Sequence, residues 1–195
     1  MLRGYAFNSS ADFETVRDIK EQMCFVSFDA KKDRKLADET TYYDKEYVLP
    51  DKQTIKIGRE RFEAAECLFN PILANVEDRG IADMIYDSLK KVEIDLFVPL
   101  VKNIVLTGGT TMFPGLSSRV DRELRAIFTK DRYGGDASRV SKTGLTVHDP
   151  PRRKHSVFIG ASFLAARSPA DSWCSRAEYD EKGVRAIWRW SNFHL

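Results

Sequence analysis

The chain has 195 residues, 43% hydrophobic and 31% charged, with a net charge of +2. That balance sets up no long-range field for nucleic acid or anionic lipid, and the length suffices for one medium domain or two small ones around a real core. Cys24, Cys67 and Cys174 are widely spaced with no C-x-x-C, and His148, His155 and His194 are not at metal-ligand spacing; both facts argue against a disulfide frame or a zinc site and for reduced, intracellular thiols.

In chain order, Met1-Leu2-Arg3-Gly4 lacks the basic and apolar regions of a signal peptide, so a cytosolic location is expected. Ser10 to Asp12 offer helix N-caps, and Phe13, Val16, Ile19 and Met23 recur at helical spacing. Arg17, Lys20, Glu21 and Cys24 fall on the other side of that helix. "CFVSFD" continues it into an alternating, strand-like piece, and residues 30–46 are charged and turn-like. "YVLPDKQTIKIG" reads as a hairpin around Pro50-Asp51, and "RFEAAECLFNP" as a short amphipathic segment stopped by Pro71. Ile81, Met84, Ile85, Leu89 and Val92 mark a second helix.

The run 103–107 has no alternation, as expected of a strand buried on both faces in a parallel sheet. Leu116, Val120, Leu124 and Phe128 mark a third helix, followed by the polar loop "KDRYGGDASRVSKTG" and a short strand, "LTVHD". Residues 156–166 form a helix rich in small residues (Gly160, Ala161, Ser162, Ala165, Ala166). The stretch "SVFIGASFLAA" is about half the length a bilayer span needs. Ser175-x-x-Glu178 has the form of a capping box before "YDEKGVRAIWRW". The class is α/β.

The most informative stretch is "NIVLTGGTTMFPG", residues 103–115. A strand that ends in glycines and leads to a helix exposes backbone N–H groups able to cradle phosphate oxygens, and glycine lets a flat ring or pyrophosphate approach the backbone. The same residues also suit a tight strand-to-helix turn that needs positive φ. The pattern is neither G-x-x-x-x-G-K-[ST] nor G-x-G-x-x-G, so the residues alone leave both readings open.

"LTGGTTMFPGL" resembles the adenosine-binding loop of the actin family. "GYAF…FETVRDIKEQMCFV", "LPDKQTIKIGRERFEAAECLFNP", "DPPRRKHSVFIGASFLA" and "W…EYDEKG" resemble further segments of that family, in its order and across essentially the whole chain. Within the family, residues 129–145 and "DPPRRKH" are more similar to an actin-related branch than to conventional actin, which has a shorter link there and an acidic residue where Arg152 stands. "GYAFN" and "SADFETVR" point the same way.

The resemblance implies an actin-like ATPase fold of the ribonuclease H-like superfamily shared with sugar kinases and heat-shock chaperones. It also implies an ATP site in a cleft. Lys20 and Glu21 match positions flanking the adenosine, the carboxylate accepting from ribose hydroxyls and the lysine near the base. Cys24 shares their helix edge. Gly108, Gly109 and Thr110, with Thr111 in the same loop, match the segment under the sugar and α-phosphate. Met112 and Phe113 match side chains packing on the adenine, and Lys154 matches the lysine beyond the base. Read without the resemblance, Lys20 and Glu21 are a solvated charged face, Met112 and Phe113 core filling, and "RRKH" a basic surface patch.

The resemblance further implies a C-terminal portion of such a protein: the D-x-G phosphate clamps, the metal-holding aspartate and the residues positioning the attacking water match nothing here. Mg2+ would then be held mainly by residues outside this chain, with no metal ligand and no catalytic residue within it. The lobes expected are residues 1–76 (small outer lobe), 77–155 (inner lobe with the nucleotide loop) and 156–195 (a return segment). Trp173, Trp188 and Trp190 would be exposed, and "IWRWSNFHL" does not resemble the family's ending. The implied role is an ATP-binding subunit of the complex that nucleates branched actin filaments. Its partners would be the other subunits and actin, in the cytoplasm and actin cytoskeleton, with no specific nucleic acid and no membrane insertion. The rivals are a fragment of conventional actin or another actin-related protein, a phosphotransferase of the sugar-kinase or chaperone branch, and a non-catalytic interaction module.

Overall fold

The structure, a computed structural model, describes residues 7–169 and 172–186. It divides into two compact units, residues 1–154 and 155–195.

The first unit opens with α1, Ser10–Met23. The cap is Ser9 rather than Ser10: its hydroxyl accepts from the Asp12 N–H at 3.2 Å while Asp12 accepts from the Ser9 N–H at 2.8 Å. The predicted apolar stripe is present but not buried, Phe13 being 67% and Val16 39% exposed. The helix is held by its ends and by surface pairs instead. Arg17 bridges Glu14 and Glu21, and the Arg61 guanidinium donates to the Met23 carbonyl at 2.9 Å.

"CFVSFD" forms no strand: residues 24–27 belong to no helix or ladder, and the chain bends at Phe28. They are pinned by single bonds from the Phe25 N–H to the Arg61 carbonyl and from the Val26 N–H to the Pro114 carbonyl. Alternation there reflects burial of Cys24 and Val26 rather than pairing. The charged stretch after it holds α2, Ala30–Glu39, capped by Asp29. The hairpin forms as expected from β1, Lys45–Val48, and β2, Thr54–Ile57. Next come α3, Glu60–Glu66, and a 3-10 turn that begins at Pro71. Phe62 of α3 is wholly buried against Phe25 and Tyr43, and such burial contributes roughly 1.5–3 kcal/mol.

Two helices precede the glycine loop: α4, Ile81–Lys90, and α5, Ile94–Val101. In α4 the buried residues are Ala82, Tyr86 and Leu89, while Met84 is 52% exposed, so the core face is rotated from the one the sequence suggested. The run 103–107 yields only a two-residue strand, β3, Ile104–Val105. It pairs parallel with β4, Val147–His148. The expectation of burial on both faces fails, since Val105 is 60% exposed; a two-stranded sheet leaves one face uncovered.

Between the strands, α6, Leu116–Ile127, carries the predicted stripe, with Leu116, Val120, Leu124 and the following Phe128 all buried. A single π turn, Phe128–Arg132, ends it. The stretch read as a loop then folds into α7, Ala137–Thr143, which anchors on one apolar residue, Val140.

Arg119 of α6 holds the interior together. Its guanidinium meets Glu66 of α3 in a fork, at 3.0 and 2.9 Å, and reaches Glu123 at 2.7 Å and the Ser27 carbonyl at 2.7 Å. Burial disfavours the charge, but the hydrogen bonds it donates to Glu66 and Glu123 outweigh it and hold the arginine above its ordinary range. No described buried side-chain polar atom lacks a partner.

The second unit contains α8, Ser156–Arg167, and α9, Arg176–Lys182. The Ser175 hydroxyl caps α9 by accepting from the Glu178 N–H at 3.1 Å. Helix α8 buries no residue; Phe158 is 76% and Phe163 54% exposed. Trp173 is 52% exposed, while Trp188, Trp190 and "IWRWSNFHL" lie outside the described residues. Among the described residues no helix is long and apolar enough to cross a membrane. The three cysteines are unpaired thiols.

Candidate functional site

The glycine loop follows β3. Gly108 sits at φ +98°, where a side chain is strained, and it leads into a 3-10 turn, Gly109–Met112. A 3-10 turn supplies no internal acceptor for its first N–H groups, so the amides of Gly109 and Thr110 start without an intrahelical partner. The turn is braced from two sides. The Thr111 hydroxyl donates to the Gly108 carbonyl at 2.7 Å, and the Gly108 N–H donates to the Arg153 carbonyl at 2.9 Å. The Arg153 guanidinium returns two bonds to the Thr111 carbonyl, at 3.1 and 3.0 Å, and one to the Asp149 carbonyl at 3.1 Å. Gly115, at φ +85°, then caps α6; a β-carbon there would lie 2.6 Å from the Val26 carbonyl oxygen.

This loop forms one wall of a cavity of about 400 Å³ lined by Arg17, Lys20, Glu21, Gly109, Thr110, Met112, Phe113 and Lys154. Helix α1 supplies the first three residues because positions 17, 20 and 21 share one helix face. Lys154 closes the far side, its ammonium 3.5 Å from the Glu21 carboxylate. The nearby Lys154 charge, with hydrogen bonds from Arg17 and Lys154, keeps the Glu21 carboxyl below its ordinary range. The Lys20 ammonium stands 6.0 Å from the Phe113 ring centre. Phe113 is nearly buried and Met112 half-exposed, so an aromatic face and a thioether border a charged rim. The cavity can thus take a flat apolar ring on one side and hydroxyl or anionic groups on the other.

Of the residues singled out from the sequence, Lys20, Glu21, Gly109, Thr110, Met112, Phe113 and Lys154 line this one cavity. Gly108 and Thr111 stand behind it and shape the turn. Cys24 is in the core, 8% exposed, with its thiol pushed up by burial; it follows α1 as extended backbone and so leaves the helix edge it was expected to share. Two arginines were missed. Arg17 could have been found from its spacing to Lys20 and Glu21. Arg153 could not, because its partner Thr111 lies 42 positions away. No group of metal-ligating side chains occurs among the described residues.

The family model described as Actin matches residues 2–191. The chain belongs to the actin family. Three curated relatives are each an actin-related protein 2. This actin-family chain is 47% identical over 187 residues to that of Saccharomyces cerevisiae, covering 95% of the chain and 48% of the relative. It is 45% identical over 189 residues to that of Drosophila melanogaster, covering 96% and 47%. It is 43% identical over 189 residues to that of Acanthamoeba castellanii, covering 96% and 49%. The chain therefore spans about half the length of the curated relatives it matches. Its mixed helices and strands are part of the α/β actin fold.

Proposed function

We propose that this chain supplies the adenosine side of an ATP site in a protein of the actin-related protein 2 kind. The observation that carries the reading is the meeting of α1, the glycine loop and Lys154 around one cavity of about 400 Å³, within the range of small-ligand pockets. Glu21 is charged and oriented by Lys154 and Arg17, so it would accept from ribose hydroxyls. Met112 and Phe113 offer soft apolar surface to the base, and Gly109, with no atom near where a β-carbon would stand, leaves room for sugar and α-phosphate. When bound, ATP brings the terminal phosphates and their Mg2+, which residues outside this chain would hold; no catalytic or metal-binding residue is assigned here.

In the whole protein, the lobes are residues 1–76, 77–155 and 156–195, and the role is that of a subunit in the complex that nucleates branched actin filaments. Its partners are the other subunits and actin, in the cytoplasmic actin cytoskeleton. Similarity to three actin-related protein 2 sequences supports this lineage over conventional actin.

Titration with a fluorescent ATP analogue tests the site. Saturable binding that weakens on Lys154→Ala supports it; binding indifferent to Lys154, Glu21 and Met112 together removes it and leaves an interaction module. Co-purification with branched-nucleation subunits tests the lineage, and recovery in actin filaments alone would overturn it.

A further inference from the structure

A second cavity, of about 320 Å³, lies where the C-terminal end of α5, the π turn and α7 converge. Its lining includes Phe97, Lys102, Arg132, Tyr133, Arg139 and Lys142, and no carboxylate. The chain carries a net charge of only +2, so this one cavity gathers more positive charge than the whole molecule shows. Arg139 is paired with Asp136 at 3.3 Å. Among the described residues, Lys102, Arg132 and Lys142 meet no carboxylate. Like charges held together without compensation repel, and an anion seated among them relieves that repulsion.

The site has fixed walls. Arg132 stacks on the Phe97 ring, 3.7 Å from its centre, which holds the guanidinium plane while leaving its N–H edges for an acceptor. The Tyr133 and Thr143 hydroxyls meet at 2.7 Å, and Thr143 donates on to the Arg139 carbonyl at 2.9 Å, tying the π turn to α7. The Arg132 fork matches phosphate oxygens in pairs, and Lys102 and Lys142 add point charges. The basic groups converge on one small depression, which suits a compact ligand of high charge density.

We propose that this cavity binds a compact ligand carrying two or more phosphate groups, either a soluble polyphosphate or a phosphorylated lipid headgroup. It shares no lining residue with the cavity bordered by Glu21 and Lys154, and the proposal does not depend on nucleotide binding there.

The test is calorimetric titration of the chain with sodium tripolyphosphate in the presence of saturating adenosine. Two double variants are compared: Arg132→Gln with Lys142→Gln, and Lys31→Gln with Lys35→Gln on α2, which removes equal charge elsewhere. All four positions are exposed, and thermal melts of both variants serve as the check on folding. The expected result is saturable binding, weakened about tenfold or more by the first pair and unchanged by the second. Equal weakening by both pairs, or no saturation, would overturn the site. Sedimentation with phosphatidylcholine vesicles containing a bisphosphorylated lipid separates the sources. Sedimentation that Arg132→Gln with Lys142→Gln abolishes assigns the headgroup, and tripolyphosphate binding without sedimentation assigns the soluble ligand. A short polyglutamate peptide that binds more tightly than tripolyphosphate would overturn the proposal in favour of an acidic protein segment.

Discussion

The carboxylate of Glu21 and the ammonium of Lys154 meet at 3.5 Å although 133 positions separate them in the chain. The contact joins the end of α1 to the segment that braces the glycine loop, and it sets two surface charges side by side in the lining of one cavity. Glu21→Ala should weaken ATP and ADP severalfold and about equally, because a ribose contact does not depend on the γ-phosphate. A titration in which the two nucleotides respond very differently would place Glu21 elsewhere in the site.

Arg153 braces the loop from behind without lining the cavity. Arg153→Ala keeps its backbone carbonyl, so the Gly108 N–H keeps its acceptor while the Thr111 carbonyl loses two donors. The variant should fold with a loss of about 1–3 kcal/mol and exchange the amides of residues 111–113 faster. Hydrogen exchange followed by mass spectrometry checks this; unchanged protection of the loop would show that the clamp is dispensable.

Arg119→Ala leaves Glu66 buried without its counter-charge and should cost about 3–5 kcal/mol in urea unfolding. Arg119→Met with Glu66→Leu should recover much of that loss, since apolar side chains of similar size carry no desolvation penalty. A double variant as unstable as Arg119→Ala would mean that the bonds to Ser27 and Glu123 matter more than the pair.

Acid should act on the same network. Burial works against the Glu123 charge, but hydrogen bonds from Arg119 and Arg122 outweigh it and hold the carboxyl below its ordinary range. Its contribution is complete above the ordinary glutamate range and is lost as pH falls through the lowered value. The pH-dependence of the thermal midpoint should therefore flatten on the acid side in Glu123→Gln, measured against the parent chain.

Gly115→Ala faces both a left-handed φ of +85° and a carbonyl oxygen 2.6 Å from the new methyl. It should cost at least about 1–2 kcal/mol and disturb the Val26–Pro114 bond that pins residues 24–28. Thermal unfolding measures the cost, and a neutral substitution would show that α6 can start one residue later.

Local rules wrote much of this fold into the sequence. The cap of α9, the hairpin at Pro50-Asp51 and the buried stripe of α6 depend on residues within one or two turns of each other, and all are legible as spacing. Positive φ at Gly108 was likewise one of the two readings its neighbours allowed. The motifs around it carried the family resemblance.

Tertiary structure decided the rest, because charge compensation and burial depend on partners that spacing does not reveal. Helix α7 anchors on Val140 alone, so its segment has no apolar period and reads as a loop until the core takes that side chain. Cys24 shares α1's sequence phase with Lys20, yet it turns inward where the Phe25 N–H meets the Arg61 carbonyl. Arg119 reads as one charge among several on α6 until Glu66, 53 positions earlier, receives it in the core. Lys154 and Glu21 each look like solvated charge in sequence, and only the chain's return past the glycine loop sets them on one cavity.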